Sequence, residues 1–277
     1  MASIRMKLYS ASLKTRTNVN ILVPTLLPDQ NGSTNRGQEF AGYYNTHGNY
    51  PVLYLLHGTY GDEGDWQRYS RIEDYARTRN VVVVMPYGEN SFYRDTKSGK
   101  NYETYLTQEL PQIIQWMFPV SKRREDTFIA GLSMGGSAAV RLGLSHPELY
   151  GYIAGLSSAF DTGTHQILEN DFTVWSFAFE GVDLRTDSSM DCYALASKAA
   201  ASDGPKPQLY LGVGTEDFLY EENCKFHAHL NEIGMEHVFS TCPGGNHNWN
   251  FWDPEILKVL DWLPINGESG AERKLGF

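Results

Sequence analysis

The sequence predicts an α/β fold, a mostly parallel eight-stranded sheet with helices on both faces. Two observations carry this. Six short, continuous apolar runs recur at residues 52–56, 81–85, 128–132, 152–156, 209–213 and 237–241, each followed by a Gly-bearing turn and a longer stretch of helical period. Runs of that length read as strands buried on both faces, and their alternation with helices marks a parallel sheet. Ahead of them, residues 7–13 and 19–23 alternate apolar and polar side chains, the period-2 pattern of a half-buried antiparallel hairpin.

The linking segments are read from their own spacing. Residues 31–49 are rich in Gly and Asn and suit an exposed loop. Between 102 and 117 the apolar positions 102, 105, 106, 110, 113, 114 and 117 follow a three-to-four period with one buried face, while Pro111 predicts a kink or two adjoining helices. Residues 137–144 are small and apolar, suited to a helix packed tightly on a sheet, and 222–233 also reads as a helix. The interval 160–207 is too long for a simple crossover. With Phe172, Trp175, Phe177 and Phe179 it reads as a small cap-like insertion after the sixth strand, so that residues 1–277 form one domain.

Composition bounds the function classes. The 277 residues carry 23 Lys+Arg against 33 Asp+Glu, a net charge of −10, with 41% hydrophobic and 20% charged residues. That excludes intrinsic disorder. With no basic run, neither nucleic acid nor an anionic membrane surface is an expected partner. No apolar stretch approaches the roughly 18 residues of a membrane span, and Met1 to Lys7 is not followed by a secretory apolar core. Cys192, Cys224 and Cys242 are too far apart for a metal clip and read as buried free thiols, which places the protein in the cytoplasm. The sequon at Asn31 is then accidental.

The sharpest motif is Gly131-Leu132-Ser133-Met134-Gly135-Gly136. It stands between an apolar strand run and a small-residue helix, the context that a Gly-x-Ser-x-Gly turn requires. A turn tight enough to lift Ser133 above the sheet leaves no room for side chains two residues away, hence the glycines. A serine nucleophile needs a base within hydrogen-bond reach and a carboxylate to hold that base. Five histidines, at 165, 227, 229, 237 and 247, follow the first acid beyond the nucleophile helix. His247, in a Gly-Gly-Asn-His-Asn-Trp loop just past the last strand, is preferred; His227, His229 and His237 fall on the expected last helix and strand. Asp217, after the strand run 209–213, is the preferred acid. Phe218 and Leu219 behind it suggest a side chain turned inward; Glu216 is its neighbouring competitor and Asp161 a distant third.

A tetrahedral intermediate also needs backbone donors. Met134 supplies one by its position after the nucleophile. The other belongs to the loop Leu56-His57-Gly58-Thr59-Tyr60-Gly61, with Thr59 preferred and Tyr60 second. His57 is expected to brace that loop rather than react. Phe92 and Tyr93, after the fourth strand, and Trp249 are placed at the pocket mouth, where they either contact an acyl group or pack the insertion on the sheet. No spacing of His, Cys or carboxylates calls for a metal.

These residues carry a family resemblance. Leu55-Leu56-His57-Gly58, the Ser133 turn, Gly214-Thr215-Glu216-Asp217 and His247-Asn248-Trp249 resemble the putative-esterase family, which includes esterase D, the S-formylglutathione hydrolase. The stretch from Met85 to Tyr93 is similar to that of the tributyrin-type esterases within it. The same broad family holds feruloyl and acetylxylan esterases, siderophore esterases and mycolyltransferases. Over about residues 50–262 the resemblance implies an α/β-hydrolase fold, no cofactor, and the catalytic set Ser133, Asp217 and His247, and it supports Thr59 as oxyanion donor. It implies a serine carboxylesterase for short-chain acyl or hydroxycinnamoyl esters of a small molecule or an oligosaccharide. The rivals on the same residues are S-formylglutathione thioester hydrolysis and acyl transfer, and beyond those a non-enzymatic binding protein. Self-association is left open.

Overall fold

The computed structural model describes residues 1–25, 49–160, 178–179 and 189–265. Most of the 31–49 loop, the sequon, Asp161, His165, Phe172, Trp175 and Phe177 lie outside the described residues, as does most of the expected cap-like insertion 160–207 up to residue 188.

Strands β1 (Ala2–Ser10) and β2 (Thr15–Val23) pair antiparallel from Ala2 opposite Val23 to Ser10 opposite Thr15. Ile4, Met6 and Leu8 face the core while Ser3, Arg5, Lys7 and Tyr9 face outward, so the period of two is real. Its bounds shift, however. The expected strand 7–13 ends at Ser10, because residues 11–14 form the hairpin turn and Lys14 takes φ +54.

Six further strands follow: β3 (Val52–Leu56), β4 (Val82–Pro86), β5 (Thr127–Leu132), β6 (Tyr152–Leu156), β7 (Gln208–Gly214) and β8 (His237–Cys242). The sheet runs β1-β2-β4-β3-β5-β6-β7-β8, parallel from β4 to β8 with the hairpin antiparallel on one edge. Continuous apolar runs are needed because alternate residues of one strand serve different cores. Tyr54, Leu56, Ile129 and Leu211 enter one cluster, and Leu53, Leu55, Phe128 and Ala130 the other. Each such side chain contributes about 1.5–3 kcal/mol on burial. The last run departs from expectation: β8 is the far edge of the sheet, and none of its residues is fully buried.

Helices close both faces. Described in chain order they are α1 (Asp65–Tyr69), α2 (Ile72–Arg79), α3 (Tyr102–Thr104, Tyr105–Glu109 and Leu110–Met117 in succession), α4 (Met134–Ser145), α5 (Cys192–Ala201), α6 (Tyr220–Glu232) and α7 (Trp249–Trp262). Side chains of α3 to α6 fill the first cluster, those of α2 and α7 the second. Pro111 marks adjoining helical segments, one of the two expected outcomes: it lies in the first turn of Leu110–Met117, directly after Tyr105–Glu109. The five residues before α3's last segment form a wider π turn, in which Leu110 N–H donates to Tyr105 O, and that widening relieves the clash a proline ring makes with the carbonyl four residues back. Met117, expected on the buried face, is 48% exposed at the helix end. Of the cysteines, all free, only Cys192 is buried; Cys224 and Cys242 are half-buried. Among the described residues no helix is long and apolar enough to cross a membrane.

One buried ion pair braces the first core. Arg141 of α4, 3% exposed, donates to Glu103 Oε2 (2.5 Å) and to Tyr93 O (2.9 Å), and His146 meets the other Glu103 oxygen at 3.1 Å. Burial pushes the Glu103 carboxyl up, but Arg141 and His146 outweigh it and hold its pKa at about 2. Because that value is depressed, the contribution is complete above the ordinary glutamate range and is lost as pH falls towards 2. Glu103→Gln should therefore cost about 3 kcal/mol at pH 7, since it leaves Arg141 buried without its counter-charge. Urea unfolding at pH 7 and pH 3 checks it: the gap between variant and wild type narrows at the acid pH.

Candidate active site

Ser133 alone makes the turn from β5 to α4. It sits at φ +52, ψ −122, a sparsely populated conformation costing about 1–3 kcal/mol. Strand and helix backbones all but touch around it. A Cβ on Gly131 would lie 2.4 Å from the Gly135 carbonyl, and one on Gly135 would lie 2.4 Å from His57 O. The turn is pinned by Ser133 N–H donating to Leu156 O (2.8 Å) and by Ser137 N–H donating to Ser133 O (3.0 Å).

His247 Nε2 lies 3.1 Å from Ser133 Oγ, and His247 Nδ1 lies 3.0 Å from each Asp217 oxygen. With the carboxylate ionised, Nδ1 carries the proton and Nε2 faces Ser133 as an acceptor. The structure thus brings Ser133, His247 and Asp217 into one line. His227 and His237 pair with each other at 2.7 Å, and His229 bonds Ser197 and Tyr193 O, away from Ser133.

The backbone sets the spacing of acid and base. Gly244 N–H donates to Thr215 Oγ1 (2.9 Å) and Glu216 N–H to Gly245 O (2.8 Å), while a Cβ on Gly214 would meet Gly245 at 2.2 Å. Glu216 is exposed and the Asp217 side chain wholly buried. The reason differs from the sequence argument, for Phe218 is 74% exposed and only Leu219 turns in. Hydrogen bonds turn Asp217 inward: its carboxylate accepts from Leu219 N–H (2.9 Å) and from His247 (3.0 Å). Burial pushes the Asp217 carboxyl up, and these donors with the His247 charge outweigh it, holding it below the ordinary range.

His57 is a brace. Gly88 N–H donates to its Nε2 (2.9 Å), so Nδ1 bears the hydrogen and donates to Gly58 O (2.7 Å). Burial lowers its pKa and keeps it neutral, tying the loops after β3 and β4 together. Tyr60 N–H is taken by Asn90 Oδ1 (2.8 Å), which removes the second oxyanion candidate. Thr59 and Met134 both line the cavity beside Ser133.

That cavity, about 340 Å³, is walled by Phe92, Leu132, Ala159, Leu219, Trp249 and Trp252 among others. Phe92 and Trp249 stand where the sequence placed them. Tyr93 does not: it is fully buried beneath the site, its hydroxyl donating to His57 O (3.1 Å). Successive positive φ values, +49 at Phe92 and +51 at Tyr93, send the first ring to the cavity and the second below it. Trp252 escaped the sequence reading, although it stands one helical turn after Trp249, a spacing that shares a face. Among the described residues no group of three or more His, Cys, Asp or Glu could hold a metal ion.

A mostly parallel sheet of this strand order, with a Gly-x-Ser-x-Gly turn after β5, is the α/β-hydrolase fold. Residues 32–263 match the model of the putative-esterase family, and the chain belongs to that family. An acetyl esterase of Caldicellulosiruptor saccharolyticus is 32% identical over 95% of this chain and 98% of its own length. The S-formylglutathione hydrolase of Staphylococcus aureus is 29% identical and superposes with a TM-score of 0.81 over 96% of this chain and 99% of that one. A fluorophosphonate-binding serine hydrolase of the same species gives 29% and 0.80 over the same shares. The chain is a serine hydrolase of carboxylic esters.

Tyr93 supplies a test of the described geometry. Tyr93→Phe should cost about 1–2 kcal/mol of stability by leaving the His57 carbonyl short of a donor. It should leave KM for a small aryl acetate unchanged, as thermal unfolding and steady-state kinetics on one preparation will show.

Proposed function

We propose that this carboxylesterase cleaves short-chain acyl esters, with Ser133 as nucleophile, His247 as general base and then general acid, and Asp217 holding the imidazole. The observation that carries the assignment is the line from Ser133 Oγ through His247 to Asp217, with separations of 3.1 and 3.0 Å. Ser133 Oγ attacks the ester carbonyl while its proton passes to His247 Nε2, which delivers it to the leaving alcohol. Water then repeats the path, giving its proton to His247 and freeing the acid and Ser133. The negative charge on the carbonyl oxygen is met by the N–H groups of Met134 and Thr59. Their place beside Ser133, and the engagement of Tyr60 N–H elsewhere, support that pair.

A short acyl group is favoured by the cavity. Its volume, about 340 Å³, lies near the low end of the roughly 300–1,000 Å³ of ligand sites. Phe92 closes it on one side and is itself backed by Phe179 at 4.9 Å. The acetyl esterase relative supports the same choice, and the S-formylglutathione hydrolase likeness keeps a thioester as the second substrate to try. Three free cysteines support a cytoplasmic location, and the −10 charge supports a small-molecule partner rather than nucleic acid. We read residues 1–277 as one domain, with 160–207 as its insertion.

Ser133→Ala should abolish hydrolysis of aryl acetate and prevent labelling by a serine-directed phosphonate, with the far-UV circular dichroism unchanged. Asp217→Asn should lower kcat by about 10⁴-fold, as in other sites where the orienting carboxylate is neutralised. A rate panel of acetyl, butyryl and octanoyl aryl esters, methyl ferulate and S-formylglutathione should rank acetyl or butyryl first. In Phe92→Ala, which opens the cavity towards Phe179, the optimum should move to a longer acyl chain; an unmoved optimum would remove Phe92 from the acyl wall.

A further inference from the structure

Phe218 is 74% exposed although both its neighbours, Asp217 and Leu219, are buried. The backbone leaves it no other direction. Asp217 N–H donates to Gly214 O (3.2 Å), Leu219 N–H to Asp217 Oδ1 (2.9 Å) and Tyr220 N–H to Asp217 O (2.9 Å), a hydrogen-bonded turn that holds the ring outward. That ring lies on the His247 imidazole, with centroids 4.5 Å apart and planes at 47°, and lines the cavity beside Ser133. Trp252 also meets the imidazole, at 4.9 Å and 84°, but is buried. Trp252 belongs to the core, whereas Phe218 presents apolar area at the cavity mouth. Tyr60, 68% exposed with its N–H fixed by Asn90, lines the same cavity. A single exposed apolar residue calls for no explanation; two exposed aromatic rings on one cavity, both on fixed backbone, do.

We propose that Phe218 is the wall of the subsite for the alcohol half of the ester, and that this alcohol is neutral and carries an aromatic ring. The inference rests on the assignment of His247 as general acid made above. Its physical basis is the path of the proton. The oxygen that leaves must come within hydrogen-bond reach of His247 Nε2, so the group attached to it passes the ring that lies on that imidazole. An aromatic alcohol covers an exposed phenyl face without needing a polar partner there. Charge narrows the class further. Among the described residues the cavity lining holds no Lys or Arg, and its one carboxylate, Asp65, is paired with Arg68 of the same helix. An anionic leaving group therefore meets no counter-charge in the lining.

The alcohol is present during acylation and gone during deacylation, which separates a leaving-group subsite from a mere support of His247. Wild type, Phe218→Ala and Phe218→Tyr are compared on phenyl acetate, trifluoroethyl acetate, and para-acetoxybenzoate with its methyl ester. Acylation is read from kcat/KM and deacylation from rapid-quench measurement of acetyl-enzyme hydrolysis. Phe218→Ala should lower the preference for phenyl over trifluoroethyl acetate by about threefold to tenfold, the rate equivalent of one aromatic contact, with acetyl-enzyme hydrolysis within about twofold of wild type. Phe218→Tyr, which keeps the ring, should keep the preference. Relative to their hydroxide-catalysed rates, wild type should cleave the methyl ester severalfold faster than the anionic acid. An unchanged preference in Phe218→Ala would overturn the proposal, as would an acetyl-enzyme hydrolysis slowed as much as acylation, which would make Phe218 a support of His247. Equal relative rates on the acid and its methyl ester would overturn the neutral class. Ser133→Ala in the same series separates the two claims: if it hydrolyses phenyl acetate as wild type does, the assignment of the reacting residues fails; if it is inert while Phe218→Ala keeps the wild-type preference, only the subsite fails.

Discussion

The constraint on which the site depends is the left-over space at one turn. Ser133 is held at positive φ between a strand and a helix whose backbones approach to within the size of a methyl group. Everything nearby must be backbone or hydrogen there, so Gly131 and Gly135 follow, and the His57 carbonyl can lie directly against the turn. The strain is held by the surroundings: parallel β3 and β6 on either side of β5, and α4 packed on the sheet beneath. The same crowding places the loop after β3 against Ser133, which is why the proposed oxyanion donors can be backbone N–H groups rather than dedicated side chains.

From this turn the site spreads by backbone stitching rather than by long side chains. The loops after β7 and β8 are joined by two hydrogen bonds and a glycine contact, so the separation of Asp217 and His247 is a property of the sheet edge. His57 does the same for the loops after β3 and β4, working as a neutral double-ended clip. Two of the three side chains proposed to react are thus carried on paired loops, and the third on a turn that cannot relax.

Legibility in the sequence followed the physics of each element. Strands buried on both faces were visible because nothing polar survives there, and the hairpin because its two faces differ. The Ser133, Asp217 and His247 turns could be found because each needs glycine or a polar loop at the end of an apolar run. At Tyr93, where the reading went astray, the deciding contact was made at long range. Tyr93 is drawn under the sheet edge by His57 O and Arg141, partners 36 and 48 residues away. Phe218 was read as the sign of an inward-turned Asp217, but a hydrogen-bonded turn, and not hydrophobic burial, rotates that side chain inward.

The hairpin turn carries a consequence of a different kind. Glu109, in the π turn of α3, accepts from the Ser10 hydroxyl (2.7 Å) and from the Ala11 and Ser12 amides (2.8 and 3.0 Å), and β2 finds its other neighbour only in β4. The hairpin is therefore completed by residues made much later than itself. At ordinary elongation rates the nascent hairpin waits on the order of 4–17 s for residue 109. Through that interval it is an amphipathic ribbon with an open edge, and its outward row of Ser3, Arg5 and Lys7 is what keeps such a ribbon from pairing with a neighbour on the same polysome.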